Sequence, residues 1–242
     1  MFPRISTLPL LALVVPLAFT GAAPARAELA IKPDDIHNGR YIYRLTREDM
    51  QTLTPASGKI PDWDWIDVGN KFFDDVHSFS NLRMQGGAWA FISMKPGASA
   101  AEFVYKFDFT PAGVRPVGMR LREIVRIEQD GATYQKRSRT GFTSFYRIGE
   151  SGEWIPLNSA APDVGFRGDK AYLTDPLKFD AGASSVVYYK VVFISDQPVS
   201  GGYLKKGQPG GNPDRGGPLW NLTRQDQPDR FFQVVFQVEP AK

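Results

Sequence analysis

The sequence predicts an all-β chain folded as an antiparallel β-sandwich with at most one or two short helices. Three observations predict it. Several segments alternate apolar and polar side chains with a period of two, and none sustains a 3.6-residue apolar period. The chain carries 17 Phe, 9 Tyr and 5 Trp, a stock of aromatics that packs well on pleated surfaces. Its 23 Gly and 19 Pro recur between the alternating segments and mark frequent turns.

The elements follow in order. Residues 1–27 have the form of an export signal. Arg4 supplies a positive start, Leu8 to Phe19 an apolar stretch, and Ala25-Arg26-Ala27 a small-x-small cleavage site before Glu28. The apolar stretch is short for a bilayer span and no second one follows. The expected product is exported, periplasmic or extracellular, with no transmembrane segment in the mature protein. Residues 28–69 read as an N-terminal extension that packs on or joins the sandwich, and 70–242 as the sandwich domain. Within the extension, Tyr41 to Leu45 reads as a strand. Thr46 then caps a helical turn over Arg47 to Leu53, with Asp49 at its third position. Asp62 to Asp67 alternates acids with Trp63 and Trp65, and Asp74 to Leu82 reads as a polar turn.

The clearest strands come later. Ala88 to Met94 is short and apolar. Glu102 to Phe109 places Phe103, Tyr105, Phe107 and Phe109 on one face and Glu102, Lys106 and Asp108 on the other. Met119 to Glu128 is a long strand. Phe142 to Ile148 and Trp154 to Leu157 flank a turn and form a hairpin. Ser184 to Ile194 is rich in Val, Tyr and Phe, as suits a central strand covered on both faces. Phe231 to Val238 turns Phe232, Val234, Phe236 and Val238 inward and Gln233 and Gln237 outward. The count is about eight to ten strands. Ser195 to Arg230, dense in Gly and Pro, reads as one long loop.

Composition removes several function classes. Cysteine is absent, which excludes disulfides, thiol catalysis and Cys-based zinc sites. Loss of Arg4 and Arg26 with the signal takes the 29 basic residues to 27, against 26 acidic ones. So small a net charge gives no global field, and nucleic acid is not an expected partner. Only His37 and His77 are present, and no zinc-protease, serine-hydrolase or nucleotide-loop motif appears.

Three groups of residues carry candidate chemistry. The long loop holds Tyr203, Lys205, Asn212, Asp214, Arg215, Trp220 and Arg224. An aromatic face for the C–H side of a sugar ring, with forked polar groups for hydroxyls, is what glycan recognition uses. The plainer reading is a surface excursion with Trp220 plugging the sandwich edge. Arg120, Arg122 and Arg126 share one face of a strand because their numbers differ by even steps. Such a row grips the anionic groups of a uronate or sulfated glycan, or it is a solvated face offset by nearby acids. Asp62, Asp64 and Asp67 are the acids considered for a structural calcium, the one cofactor in view. Ordinary surface acids in turns are the alternative.

The hairpin with Tyr146 and Trp154, then Val186 to Phe193, a loop, and Phe231 to Phe236 resembles the jelly-roll β-sandwich of galactose-binding-domain-like and carbohydrate-binding modules. The resemblance spans residues 70–240 and rests on strand pattern. It implies sugar binding through loops at one rim, often with a structural calcium.

Three functions are therefore carried forward. The first is an exported, non-catalytic protein that binds a polysaccharide or oligosaccharide through rim loops. The second is a polysaccharide lyase or glycoside hydrolase on the same scaffold. For a lyase, Tyr188, Tyr189, Lys190, Arg120, Arg122, His77 and Gln233 are the available residue types. The third is an envelope protein-interaction module. The chain names no catalytic residues, so the reading leans away from an enzyme.

Overall fold

The computed structural model of the chain describes residues 27–50, 65–66, 70–85, 89–95, 97–128, 139–163, 167–180, 182–199 and 217–241. Strands numbered in chain order begin with β1 (Leu29–Ala30), β2 (Arg40–Leu45), β3 (Trp65–Ile66), β4 (Ser78–Ser80) and β5 (Leu82–Gln85). Then come β6 (Trp89–Met94), β7 (Ala100–Asp108), β8 (Val114–Glu128), β9 (Thr140–Ile148) and β10 (Ile155–Asp163). The last five are β11 (Arg167–Leu173), β12 (Leu177–Lys178), β13 (Val186–Ser195), β14 (Gly217–Arg224) and β15 (Phe232–Pro240). The single α-helix among the described residues is α1 (Lys71–Asp75).

These strands make the two-sheet sandwich that the alternation predicts. The smaller sheet runs β1-β7-β13-β9-β10, with β4 also on β7. The larger contains β2, β15, β8, β14, β6, β5 and β3, with β11 and β12 on β8. All pairings are antiparallel except β1 with β7. The 15-residue β8 organises the larger sheet. Arg122 pairs with Gln233 on one side and Leu173 on the other, and Val125 with Trp220 and Lys170. One edge of β8 is thus shared by β15 and β14, the other by β12 and β11. From β7 onward the chain passes repeatedly from sheet to sheet, as in a jelly roll.

Period-two alternation puts one row of each strand in the core. Phe103, Tyr105 and Phe107 of β7 meet Val187, Tyr189, Val191 and Phe193 of β13 on the smaller sheet. Leu121 and Val125 of β8, Trp220, and Phe232, Val234 and Phe236 of β15 face them from the larger. Ring centroids lie 4.8 Å apart for Trp220 with Phe103 and with Phe232, and 5.1 Å for Phe107 with Phe236. Such burial is the main stabilising term in a chain without cross-links.

Local signals account for the smaller elements. Thr46 N–H donates to Asp49 (2.8 Å) and Asp49 N–H to Thr46 Oγ1 (3.3 Å), the reciprocal cap expected there, and the turn it starts is the 3₁₀ segment Glu48–Met50. Helix α1 ends inside the expected polar turn from Asp74 to Leu82, and that stretch also contains the strand β4. Asn70 Oδ1 caps the helix by accepting from Phe72 N–H (3.0 Å) and Phe73 N–H (3.3 Å), and Phe72 is fully buried. Residues 28–69 supply β1 to the smaller sheet, on β7, and β2 and β3 to the larger, on β15 and β5.

Two expectations are corrected. The strand count is fifteen among the described residues, because two- to four-residue strands such as β1, β4 and β12 are too short to show a period. The expected loop from Ser195 to Arg230 contains β14, a strand of the larger sheet paired with β6 and β8. Its glycines and prolines hid it. A bulge at Asn221, which has φ 50°, further breaks its alternation.

Asn221 is fully buried and joins three elements. Its Nδ2 donates to Leu45 O (2.9 Å) and its Oδ1 accepts from Phe232 N–H (2.6 Å). Asparagine tolerates this left-handed backbone better than alanine does. Asn221→Ala is expected to cost about 3 kcal/mol, two buried bonds plus the backbone penalty. Urea denaturation of the two proteins checks it, and a loss below about 1 kcal/mol would contradict this account.

Candidate binding face

The outer face of the larger sheet is built from β2, β15 and β8 in register. Arg44 pairs with Gln233, which pairs with Arg122. The next outward row is Ile42, Val235 and Arg120, and the one beyond it Arg40, Gln237 and Gly118. Since alternate residues point the same way, all these side chains stand on one face, opposite Tyr43, Val234 and Leu121 in the core. Arg40, Arg44, Arg120 and Gln237 are exposed, and Arg122, Gln233 and Val235 half-buried. The ring of Phe231 lies between two guanidinium groups, 5.3 Å from Arg44 and 5.3 Å from Arg122. None of the four arginines forms an ion pair with a described residue.

Two shallow cavities open on this face. One, of about 250 Å³, is lined by Arg40, Arg120, Pro176, Leu177, Val235 and Gln237, with Met119 at its base. The other, of about 200 Å³, is lined by Arg120, Leu121, Arg122, Leu173, Gln233 and Val235. The connection from β11 to β12 forms their wall, pinned to β8 where Thr174 Oγ1 accepts from Leu121 N–H (3.0 Å). Gly118 lets that connection come close: a Cβ there would lie 2.7 Å from Leu177 O.

A larger groove of about 670 Å³ follows the edge of β2 away from β15 and is lined by Asp34, Asp35, His37, Arg40, Tyr41, Ile42, Arg44, Lys71 and Asp75, among others. The fold protects this edge. His37 and Arg40 exchange backbone bonds (2.9 and 3.0 Å) around Asn38 and Gly39, and Lys71 Nζ donates to Arg44 O (2.9 Å). Lys71 also pairs with Asp75 (3.1 Å), which accepts from the Tyr43 hydroxyl (2.8 Å). Desolvation, with Asp35 and Asp75 nearby, pushes the Tyr41 phenol well above its ordinary range, so it stays a donor.

The opposite face, on the smaller sheet, is occupied by its own side chains. Trp154 covers Tyr188, with Lys190 Nζ 4.2 Å and the Arg147 guanidinium 4.7 Å from its ring. Lys106 bridges Glu28 (3.3 Å) and Glu150 (3.2 Å), and the Tyr188 hydroxyl donates to Glu150. The hydrogen bonds from Tyr188 and Lys106 hold the Glu150 carboxyl below the usual range, whereas burial lowers Lys190.

The expected site residues divide accordingly. Arg120 and Arg122 stand on the open face. Arg126 shares their parity but is buried at 8% exposure, beyond a fully buried Ile124 that packs with Phe91 and Leu219; it is removed from the anionic patch. Trp220, expected to stack on a ligand, is fully buried between the sheets. An indole with no exposed face cannot stack on a sugar, so that expectation is corrected. Arg224 makes a forked contact with Asp226 (2.9 and 2.6 Å), which lowers the Asp226 carboxyl pKa. Tyr203, Lys205, Asn212, Asp214 and Arg215 lie outside the described residues, as do Asp62, Asp64 and Asp67. Among the described residues no group of three or more His, Asp or Glu is arranged to hold a metal.

The residue types weighed for a lyase do not converge. Arg120, Arg122 and Gln233 occupy the outer face of the larger sheet, and His77, Tyr188 and Lys190 the outer side of the smaller. Tyr189 is in the core, donating to Glu123. Reading by sequence found Arg120, Arg122 and the outward Gln233 and Gln237. It missed Arg40 and Arg44 as members of the face. Their own alternation is visible in β2, but which strand lies beside β15 is not.

The chain matches no protein-family model and no curated protein. Solved structures do resemble it. One is a mutant of CBM29-2, a family 29 carbohydrate-binding module, complexed with cellulohexaose. It has a TM-score of 0.32 and 12% identity, covering 83% of this chain and 92% of that one. A second family 29 mutant has a TM-score of 0.30 and 14% identity over 81% and 91% of the two chains. TmCBM27, a carbohydrate-binding module studied for specific mannan recognition, has a TM-score of 0.27 and 10% identity over 90% and 96%. These similarities are too distant to pass a ligand or a site residue to this chain.

Proposed function

We propose that the mature chain is an exported protein that binds polysaccharide without cleaving it, on the outer face of its larger sheet. The observation that carries this reading is the arrangement of that face. Forked and amide side chains alternate with an apolar floor of Ile42, Val235 and Leu173, free of ion pairs among the described residues and beside two shallow cavities. Sugars need such a mixture: flat apolar contact for C–H groups, and donors and acceptors for hydroxyls. Among the described residues no Asp, Glu or His lines either cavity, so these residues offer neither the carboxyl pair of a hydrolase nor the histidine of a general base, which favours binding over cleavage.

Retention in affinity gels across a panel of neutral and acidic polysaccharides tests this, with reducing ends and unsaturated products assayed in parallel. Retention without new ends is expected. The pair Gln233→Ala and Gln237→Ala is expected to weaken it roughly thirtyfold, from two lost hydrogen bonds of about 1 kcal/mol each. Absence of retention on every polymer would overturn the reading.

A further inference from the structure

We infer that the ligand is an acidic polysaccharide, and that two consecutive sugar residues sit on either side of Arg120. This rests on the carbohydrate-binding reading above and adds the substrate class and register. Among the described residues Arg120 is the one arginine that lines both cavities. On one side stand Arg40 and Gln237, on the other Arg122 and Gln233, with Val235 on both floors. The same set, two guanidinium groups, one amide and one apolar floor, thus occurs twice with Arg120 shared. At about 3.4 Å per strand residue, Arg120 and Arg122 stand about 7 Å apart along β8, and Gln233 and Gln237 about 14 Å apart along β15. A repeating polymer meets a repeating surface.

Charge selects the polymer. A guanidinium stays ionised and presents a fork that matches a carboxylate or sulfate. Four arginines concentrate here in a chain whose formal net charge is only +3, so the patch is local and does not reflect general basicity. The acids nearby leave it open. Asp175 is exposed in the connection between β11 and β12, Asp34 and Asp35 line the groove beyond β2, and none of them pairs with these arginines.

The test uses matched polymers on the full mature chain: polygalacturonate against its carboxyl-reduced form, and dextran sulfate against dextran. The expected result is at least tenfold stronger retention of one acidic member over its neutral twin, weakening as salt rises. The preferred pair tells carboxylate from sulfate. Arg120→Ala is expected to weaken that retention about thirtyfold, and Arg120→Lys less, since it keeps the charge and loses the fork. Arg120 is exposed, so an unchanged circular dichroism spectrum is expected and verifies folding. Equal retention of both twins would overturn this inference and leave the carbohydrate-binding reading standing. No retention on any polymer would overturn both. An equal loss from Lys190→Ala, on the outer side of the smaller sheet, would reduce the effect to general charge attraction and overturn the inference as well.

Discussion

Glu123→Ala is expected to lower the unfolding free energy by about 4 kcal/mol, and the melting temperature by roughly 10 °C. Glu123 lies fully buried between the sheets. Its carboxyl accepts from Ser144 Oγ (2.8 Å), Asn158 Nδ2 (2.5 Å), Trp220 Nε1 (3.4 Å) and the Tyr189 hydroxyl. These donors come from β9, β10, β14 and β13, so one side chain on β8 ties both sheets together. Alanine leaves the donors facing an apolar void, and an unmet buried donor costs more than the bond itself contributes.

The same residue sets a pH dependence. Burial pushes the Glu123 carboxyl above its ordinary value of 4.5, and the four donors offset only part of the rise. The folded state therefore holds this proton more tightly than the unfolded state does. The stability it confers is full below the ordinary carboxylate value and is lost as pH rises through the raised one. Glu123→Gln cannot titrate. Compared with that variant by urea denaturation between pH 4 and pH 8, the native protein is expected to lose stability as pH rises. A difference that stays flat or runs the other way would refute this.

Trp220→Ala is expected to be similarly costly, about 4 kcal/mol, through lost burial and the cavity left behind. The indole fills the space between Phe103 and Phe232 and donates to Glu123. Its effect should fall on stability alone. Where the variant remains folded, polysaccharide retention is expected to match that of the native protein. Lost retention in a folded variant would return Trp220 to the site. Because Trp220 and Glu123 share a hydrogen bond, Trp220→Ala and Glu123→Gln should be non-additive, by about 1 kcal/mol in a double-mutant cycle.

Much of the sandwich is legible in one dimension. Phe103 to Phe109 and Phe232 to Val238 alternate cleanly because each strand has one face in the core. The reciprocal cap of Thr46 and Asp49 is local and was equally readable. Trp220 shows the limit: β14 lies in a Gly- and Pro-rich stretch and bulges at Asn221, so its alternation is broken and its tryptophan looks like a loop aromatic. Arg126 shows another. Parity groups it with Arg120 and Arg122, but the burial of Ile124 beside it depends on Phe91 and Leu219, distant in the chain.

By itself the sequence determined the all-β class, the inward rows of the long strands and the shared face of Arg120 and Arg122, because these follow from backbone periodicity and from which side chains leave water. Only the tertiary structure decided that Arg40 and Arg44 join that face, that Trp220 belongs to the core, and that a carboxylate sits among four donors at its centre. Strand adjacency is the reason. The order of strands in a sheet is set by packing between segments far apart in the chain, and a one-dimensional pattern carries a side chain's face but not its neighbour.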